Sequence, residues 1–298
     1  MDVKVEKAHP LFAAIVTGID LSAPPTEETV TCVEDLMAEY GVVCLRGSGA
    51  TDDQHIAFSR AFGPLELPPD LKIKSGFKPR LAYGLYDASN LDAEGNIVVK
   101  DTTRHKYAKG NELFHTDSSF NSLPTKWSLL LAHVVPPEGG DTQFIDARAV
   151  YDALSDEMKQ KLDGLVAEHN LWHSRARGGF STVTEEMKKA MPAAQHPIVR
   201  ESANGRKTLV IGAHAASIVG MGAEEGLALI DELNAFAAQP QFIYAHKWED
   251  GDLVIWDNRC TLHRATAFED QKYKRDMRRT TINEYGPEIA STSLASVQ

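Results

Sequence analysis

The stretch WSLLLAHVVPPEGGDTQFIDA, residues 127–147, contains two strand-like runs separated by prolines and glycines. Comparable short runs follow along the chain: TLVIGA (208–213), FIYAHKW (242–248), DLVIWDN (252–258) and RRTTINEY (278–285). Runs rich in branched and aromatic residues, bounded by Gly, Pro and Asp, are typical of β-strands. Because helices do not alternate regularly with these runs, the pattern favours a sandwich or jelly roll over a doubly wound sheet. We therefore predict a mainly β fold with flanking helices.

Helical signals surround the strand-rich part. Thr26 is placed to cap a helix that Gly41 ends. Thr51 and Gln54 fit a capping box for a second helix, which would run to about Phe62. Residues 67–112 have no clear period and are basic in an otherwise acidic chain, and long segments of this kind are usually functional or disordered. Two further helices are predicted near residues 155–168 and 223–237.

The composition restricts the class of protein. The chain has 298 residues, 43% of them hydrophobic and 24% charged, which is close to the average for a globular protein and enough for one sizeable core. Since no linker or internal repeat divides the sequence, we expect a single domain over residues 1–298, with a frayed tail from about residue 287. The formal charge of −11 argues against a nucleic-acid partner and favours a small substrate.

The N-terminus and the cysteines bear on location. MDVKVEKAHPLF (1–12) carries charges where a signal peptide is apolar, and no stretch reaches the length of a membrane span. We therefore expect a cytoplasmic protein without a membrane partner. Cys32, Cys44 and Cys260 show no CxxC spacing, so they indicate neither a disulfide framework nor a cysteine zinc site. We expect them to be reduced core residues.

Polar residues interrupt the apolar pattern at two places far apart in the sequence. FHTDSSF (114–120) puts His115 and Asp117 two positions apart, and thus on one side of an extended segment. WDNRCTLHRA (256–265) continues an apolar strand into polar residues and reaches His263. An HxD pair alone is often only a hydrogen-bonded pair at a strand end. Two histidines and one carboxylate together match a facial Fe(II) site, which leaves three coordination positions open.

Two further features indicate a ligand for those positions. GGDT (139–142) brings Thr142 after two glycines, which permit close approach of the backbone. KRDMRRTT (274–281) puts Arg275 and Arg279 four residues apart, on one face of a strand. Arginine binds planar carboxylates through paired hydrogen bonds, so a dicarboxylate co-substrate would fit.

In this order, these motifs resemble the taurine dioxygenase family of Fe(II)/2-oxoglutarate-dependent oxygenases. The resemblance extends to HPLFAA (9–14), AFGPLE (61–66) and IGAHA (211–215), and so covers nearly the whole chain. It implies a double-stranded β-helix, or jelly roll, with flanking helices. It also implies Fe(II) as the metal, 2-oxoglutarate and O2 as co-substrates, and a possible homo-oligomer.

The resemblance also implies residue roles. His115, Asp117 and His263 would bind the iron, while Thr142 and Arg275 would hold the distal carboxylate of 2-oxoglutarate.

Other residues would surround the substrates. By the same resemblance, Asn90 would lie near the co-substrate, Arg279 would bind the anionic group of the primary substrate, and His214 would lie beside that group. Lysines of the basic segment would supplement the pocket: Lys72, Lys74 and Lys100. The implied reaction oxidises a carbon–hydrogen bond of a small anionic substrate. The substrate that we favour is an aryloxyalkanoate, whose ether is cleaved after hydroxylation.

The sequence departs from the family pattern in two places. The loop from His263 to Arg275 is one residue longer than usual, so a match by offset alone would select Lys274; the RxxxR spacing favours Arg275. RESANGRK (200–207) has Glu201 or Ser202 where relatives that act on aryloxyacetates have a histidine. Alkylsulfonates, amino acids and other carboxylates therefore stay open as substrates, and desaturation or ring closure as outcomes.

Two other classes of function also stay open. The same three ligands with a water would describe a zinc hydrolase, and a jelly roll can bind a small acid or metal without turnover. The zinc hypothesis leaves Thr142 and the two arginines without a role. His169 and His173 form a competing pair at helical spacing, but no third ligand lies nearby in the sequence, and we interpret the spacing as chance.

Overall fold

The strands and helices occupy the chain in an order that matches a mainly β protein. The computed structural model describes residues 2–67, 80–100, 102–180, 183–202, 205–286 and 289–290. In chain order, the strands are β1 (Lys4–Lys7), β2 (Ala14–Thr17), β3 (Val42–Leu45), β4 (Leu65–Leu67), β5 (Tyr86–Asp87), β6 (Thr125–Val134), β7 (Thr142–Asp146), β8 (Val166–His169), β9 (Ala194–Pro197), β10 (Val199–Glu201), β11 (Lys207–Leu209), β12 (Ala215–Ile218), β13 (Ile243–His246), β14 (Leu253–Asp257), β15 (Thr261–Ala265), β16 (Asp276–Asn283) and β17 (Ile289–Ala290). The helices are α1 (Glu27–Tyr40), α2 (Asp52–Arg60), α3 (Thr103–Ala108), α4 (Ala147–Asp152), α5 (Asp156–Leu162), α6 (Leu171–Arg177), α7 (Glu185–Ala190) and α8 (Ala223–Ala237), with short 3₁₀ turns at Lys109–Glu112 and Pro240–Phe242.

Two sheets carry the site. The large sheet has the strand order β1-β2-β3-β14-β6-β16-β4-β17, with β5 paired to β16, and the small sheet has the order β13-β7-β15. Phe144 of the small sheet packs on Trp256 of the large sheet, with ring centroids 5.7 Å apart, in a buried cluster shared by both sheets. The remaining strands form a β10-β11 hairpin and a β12-β8-β9 sheet.

Both faces of the large sheet are buried, which explains its long apolar runs. In β6, Leu130 and Ala132 belong to the cluster between the sheets, whereas Leu129 and Leu131 belong to the cluster beneath α1 and α2. Alternate residues of a strand lie on opposite faces, so a strand buried on both sides reads as continuously hydrophobic. The outer face of the small sheet packs in a further cluster that includes Ile230 of α8.

Several local predictions are confirmed. The Thr26 side chain accepts a hydrogen bond from the backbone of Thr29 at the start of α1, and Gly41 ends that helix with φ at 67°. Both hydrogen bonds of the capping box between Thr51 and Gln54 are present, at 2.8 and 3.3 Å, although α2 ends at Arg60. The helix predicted near 223–237 is α8.

Other local predictions are wrong. The helix predicted for 155–168 ends at Leu162, because Gly164 adopts a left-handed φ of 72° and the chain then forms β8, which pairs with β9 and β12. In TLVIGA, the strand stops at Leu209.

Part of the basic segment lies outside the described residues. In its described part, β5 and α3 form short elements. Most of the predicted frayed tail also lies outside, although β17 pairs with β4 in parallel. Among the described residues, no helix is both long and apolar enough to cross a bilayer.

Candidate active site

The two predicted histidine ligands face each other across a β-bridge. The backbone N–H of His115 donates to the carbonyl of His263 at 3.0 Å, and the reciprocal bond measures 2.8 Å. Their ring centroids lie 4.3 Å apart. Residues that exchange both backbone hydrogen bonds point to the same face of a sheet. The segment before Asp117 thus extends the small sheet beside β15, which explains why histidines so distant in sequence meet.

Asp117 completes the cluster. Its Oδ2 lies 3.7 Å from His263 Nε2, and the ligand atoms of the three residues all lie within 4.8 Å of one another. The next residue, Ser118, has a positive φ of 54°, so the chain turns sharply immediately after Asp117. All three ligand side chains are buried.

The protonation states suit a cation. Burial lowers the pKa of His263 to about 3 and also lowers the pKa of His115. Burial alone would raise the pKa of Asp117, but Arg279 and the two histidines lower it well below its usual range. At neutral pH the cluster therefore presents two neutral imidazoles and one carboxylate, which are the forms that bind metals.

A hydrogen bond fixes the tautomer of His115. Its Nδ1 lies 2.7 Å from the carbonyl of Leu113, and because a carbonyl only accepts, Nδ1 carries the proton. The lone pair is then on Nε2. Metal-binding histidines commonly donate their other N–H to a carbonyl in this way. The donor set therefore fits a divalent metal with imidazole and carboxylate ligands.

Two residues that support Asp117 were missed from the sequence. Ser128 of β6 donates its hydroxyl to Asp117 Oδ2 at 2.8 Å, and Asn258 accepts from the Asp117 backbone N–H at 3.3 Å. Asn258 also donates to Ser128 at 2.9 Å, which closes a small network. Asn258 could have been recognised from the sequence, because it is one of the polar residues that directly follow the apolar run LVIW (253–256). Nothing local marks Ser128 in an apolar strand.

Arg275 and Thr142 are both buried, and they lie close to the ends of β16 and β7 respectively. Arg275 directly precedes β16 and lies beside Gly140, where a Cβ would be in ordinary contact with Arg275 Cδ at 3.5 Å. Within the described part of the chain, its guanidinium donates to the Ala88 carbonyl and makes no ion pair. Burial lowers the pKa of Arg275 to about 10, against the opposing effect of Asp141. A buried guanidinium without a carboxylate is costly, so this position suits an anionic ligand.

Asn90 lies beside Arg275, and its side chain is hydrogen-bonded to backbone groups. Its amide Nδ2 donates to the carbonyls of Asp270 and Tyr273 at 2.7 and 2.9 Å, and its Oδ1 accepts from the Arg275 backbone N–H at 2.8 Å. The side chain is thereby occupied in holding the loop before Arg275. Asn90 therefore supports the backbone of Arg275, and its proximity to a co-substrate stays a prediction.

Arg279 lies beside the candidate metal ligand Asp117. Its Nη1 pairs with Asp117 Oδ1, and its guanidinium lies over the Tyr86 ring, 5.0 Å from the centroid. Tyr86 in turn donates to the buried Glu66 at 2.7 Å, as does Ser118 at 3.0 Å. Burial raises the pKa of Glu66. Glu66 was also missed, since a single acid in the strand LEL carries no local signal.

His214 borders the cluster, with its ring 5.6 Å from that of His115 and 4.9 Å from that of Phe120. Its Nδ1 is buried, and no hydrogen-bond partner for it is found among the described residues. The structure therefore places His214 beside His115, and its contact with a substrate stays a prediction.

Of the three predicted lysines, the structure describes only Lys100. Lys72 and Lys74 lie outside the described residues. Lys100 is exposed, and its backbone N–H donates to Gln271. His169 and His173 do not share a helix face, because His169 ends β8 and His173 lies in α6.

Comparison with known proteins places the chain in a family. The model of the family described as "Taurine catabolism dioxygenase TauD, TfdA family" matches residues 4–281. The alpha-ketoglutarate-dependent 2,4-dichlorophenoxyacetate dioxygenase of Cupriavidus pinatubonensis is 43% identical over 284 residues, covering 94% of this chain and 98% of the relative. The (S)-phenoxypropionate/alpha-ketoglutarate-dioxygenase of Sphingobium herbicidovorans is 34% identical over 293 residues, covering 95% of each.

Solved structures agree. The structure of AAD-2 in complex with Mn(II) and N-oxalylglycine superposes with a TM-score of 0.87 at 38% identity, covering 98% of this chain and 100% of that one. A taurine dioxygenase from Burkholderia xenovorans gives a TM-score of 0.76 at 25% identity, with both chains fully covered at 100%. The chain therefore belongs to the taurine catabolism dioxygenase TauD, TfdA family, and it is an Fe(II)/2-oxoglutarate-dependent dioxygenase.

Proposed function

We propose that this enzyme oxidises a carbon–hydrogen bond of an aryloxyalkanoate, and that hydroxylation beside the ether oxygen gives a hemiacetal whose collapse cleaves the ether. The observation that carries the proposal is a two-histidine, one-carboxylate cluster together with two separate arginines, the buried Arg275, and Arg279 beside Asp117. The relatives that act on 2,4-dichlorophenoxyacetate and phenoxypropionate support this substrate class.

In this proposal, His115, Asp117 and His263 hold Fe(II). When bound, the metal and 2-oxoglutarate supply the activation of O2 and the oxidising power. The residues of the chain position the reactants and stabilise their charges. Ser128 and Asn258 fix the orientation of Asp117, and the Leu113 carbonyl fixes the ring of His115.

Arg275 and the Thr142 hydroxyl are proposed to bind the distal carboxylate of 2-oxoglutarate. Burial has already removed water from the Arg275 guanidinium, and a dicarboxylate bound there would compensate its charge. Asn90 keeps the Arg275 backbone in place and so restricts where the guanidinium can reach.

Arg279 is proposed to bind the carboxylate of the primary substrate. At present its charge is balanced by Asp117. A cation on Asp117 would weaken that pair, because the carboxylate would share its charge with the metal, and would leave the guanidinium free for a second anion. Metal binding would thus prepare the substrate site. His214 is proposed to line the same site.

We also propose that the two facing sheets form a double-stranded β-helix, or jelly roll, with the His115 segment as an added strand of the small sheet. The shared cluster between the sheets supports this. We propose a single domain for residues 1–298, and a cytoplasmic location supported by three free thiols, Cys32, Cys44 and Cys260.

The test is the visible absorption of the anaerobic protein with Fe(II) and 2-oxoglutarate, followed by a succinate assay with aryloxyacetates, aryloxypropionates, taurine and alkyl sulfates. We expect a broad charge-transfer band that H115A abolishes and that R275Q shifts to roughly tenfold or higher 2-oxoglutarate concentration. The matched control is K274Q, because Lys274 is the exposed neighbour that an offset match would select. Zinc binding with no band, or equal effects of R275Q and K274Q, would refute the co-substrate assignment. Succinate formation driven only by taurine or alkyl sulfates would refute the substrate class.

A further inference from the structure

A buried polar cluster lies at the corner where the chain passes from β13 to β14. Cys44, His246 and Asp252 are all buried there, and their potential ligand atoms lie within 4.8 Å of one another. Asp252 Oδ2, however, already has three partners: His246 Nε2, the Glu249 backbone N–H and Arg46 Nη1, each at 3.0 Å. Because Arg46 compensates the charge of Asp252, the cluster is better explained as a hydrogen-bonded unit than as a second cation site.

This unit fixes the conformation of the turn. The Asp252 backbone N–H donates back to the Glu249 carbonyl at 3.1 Å, so both ends of residues 249–252 are held. His246 Nδ1 lies 3.0 Å from the Tyr244 hydroxyl, which restrains its ring from the other side. The chain between β13 and β14 is therefore anchored on a rigid buried pair rather than exposed as a loose connection.

Trp248 lies in this corner, between the anchored residues. Its ring packs edge-on against His246, with centroids 4.7 Å apart. Its indole Nε1 donates to Thr142 Oγ1 at 3.0 Å. Thr142 and His246 are direct partners across β7 and β13, so the corner and the hydroxyl are held by the same pair of strands.

The chemistry of the two groups fixes their roles. An indole N–H can only donate, so the Thr142 hydroxyl must accept from Trp248. A hydroxyl has one proton and two lone pairs, and one lone pair is now occupied. The hydroxyl proton remains available, and a carboxylate is a group that only accepts. Trp248 therefore biases Thr142 toward donating to an anion.

We propose that Trp248 is a positioning residue for the co-substrate: it holds the Thr142 hydroxyl as a hydrogen-bond donor to the distal carboxylate of 2-oxoglutarate, from a corner fixed by His246 and Asp252. This inference rests on the proposed role of Thr142. It adds a specific requirement for the distal carboxylate, because a 2-oxo acid without that group has nothing for Thr142 to bind.

The test compares W248F with the wild-type protein. Phenylalanine keeps an aromatic ring and removes the N–H. The probes are 2-oxoglutarate and 2-oxopentanoate, which has the same chain length and no distal carboxylate, titrated by calorimetry into the Mn(II)-loaded protein. We expect W248F to weaken binding of 2-oxoglutarate by about 3- to 10-fold, the usual range for one hydrogen bond, and to change binding of 2-oxopentanoate less than about twofold.

A double-mutant cycle with T142V identifies the partner. Valine removes the hydroxyl and nearly conserves the shape, so W248F in the T142V background should cost less than about twofold. The matched control is W172F, since Trp172 donates its N–H to the Met187 carbonyl away from the site, and it should not change either affinity. Thermal melting of each variant establishes that it is folded at the temperature of the titration.

The outcomes separate the two hypotheses. If the wild-type protein binds both acids equally, the proposed role of Thr142 and Arg275 fails, and the inference fails with it. If the wild-type protein prefers 2-oxoglutarate but W248F binds it equally well, only the inference fails. Equal weakening for both acids, or an undiminished effect in the T142V background, also overturns it, because the tryptophan would then act through general packing.

Discussion

At the scale of single residues, two adjacent arginines of β16 have opposite surroundings. Arg279 contacts Asp117, one of the candidate metal ligands. Arg278 lies on the other face of the sheet, where its guanidinium is 2.7 Å from the carboxylate of Asp52 in α2. Alternation along a strand separates them. Their chemistry is identical, so only position distinguishes Arg279, the proposed substrate-binding residue, from Arg278.

Arg279→Gln should raise the KM for an aryloxyacetate by about tenfold or more, because a charge-assisted pair to a carboxylate is lost. The Kd for 2-oxoglutarate, held by Arg275 in our proposal, should change less than about threefold. Steady-state kinetics and anaerobic titration measure the two quantities. Arg278→Gln is the control and should leave both values near wild type. Equal KM values for the two variants would contradict the assignment of Arg279.

At the scale of elements, β16 carries an ion-pair network on its outer side. Asp276 accepts hydrogen bonds from Arg80 at 2.7 Å and from Arg278 at 2.9 Å. Arg80 also binds Asp87 of β5 at 2.8 Å. The network ties β5 to the large sheet, next to Tyr86, and thereby supports the ring beneath Arg279.

Asp276→Asn should lower the free energy of unfolding by about 1–2 kcal/mol at pH 7, the range for a partly buried charge-assisted bond. Burial alone would raise the pKa of Asp276, but Arg80 and Arg278 hold it well below its usual range. A pKa that is lower in the folded protein stabilises the fold at any pH above the pKa of the unfolded chain, about 4. This contribution is lost as the pH falls from there toward the pKa of the folded protein. The difference between wild type and variant in urea unfolding should therefore shrink between pH 7 and pH 3.5. Asp163→Asn, at an exposed position, is the control; a constant difference across this range would count against the pairing.

At the scale of the whole molecule, the candidate metal ligands His115, Asp117 and His263 join the two sheets. His263 belongs to the small sheet, and Asp117 is supported by Ser128 of the large one. A ligand that binds only the folded cluster must stabilise the whole fold by mass action.

Mn(II) at about 100 times its Kd should therefore raise the Tm by roughly 4–8 °C, from about 2.7 kcal/mol of linkage in a domain of this size. Differential scanning calorimetry of the metal-free protein, with and without Mn(II), measures the shift. The His115→Ala variant should lose most of it. A shift that persists in this variant would mean that the cation binds elsewhere.

The sequence by itself determined the features that depend on near neighbours. The cap of α1 at Thr26 and the capping box at Thr51 involve residues three apart, and the continuous apolar run of β6 matches its two buried faces. The HxD pair could be recognised as a pair of candidate ligands because its two residues are near neighbours in the sequence. The helix predicted through Gly164 failed because the periodic signal continued across a residue whose left-handed conformation ends it.

Only the tertiary structure decided which distant residues meet. The bridge between His115 and His263, the support of Asp117 by Ser128 and Asn258, and the bond from Trp248 to Thr142 all depend on strand register. A slip of one residue would turn each of these side chains to the opposite face, and no local pattern records that choice. Register follows from the packing of the two sheets against their shared core, so the site became visible only when the whole chain was folded.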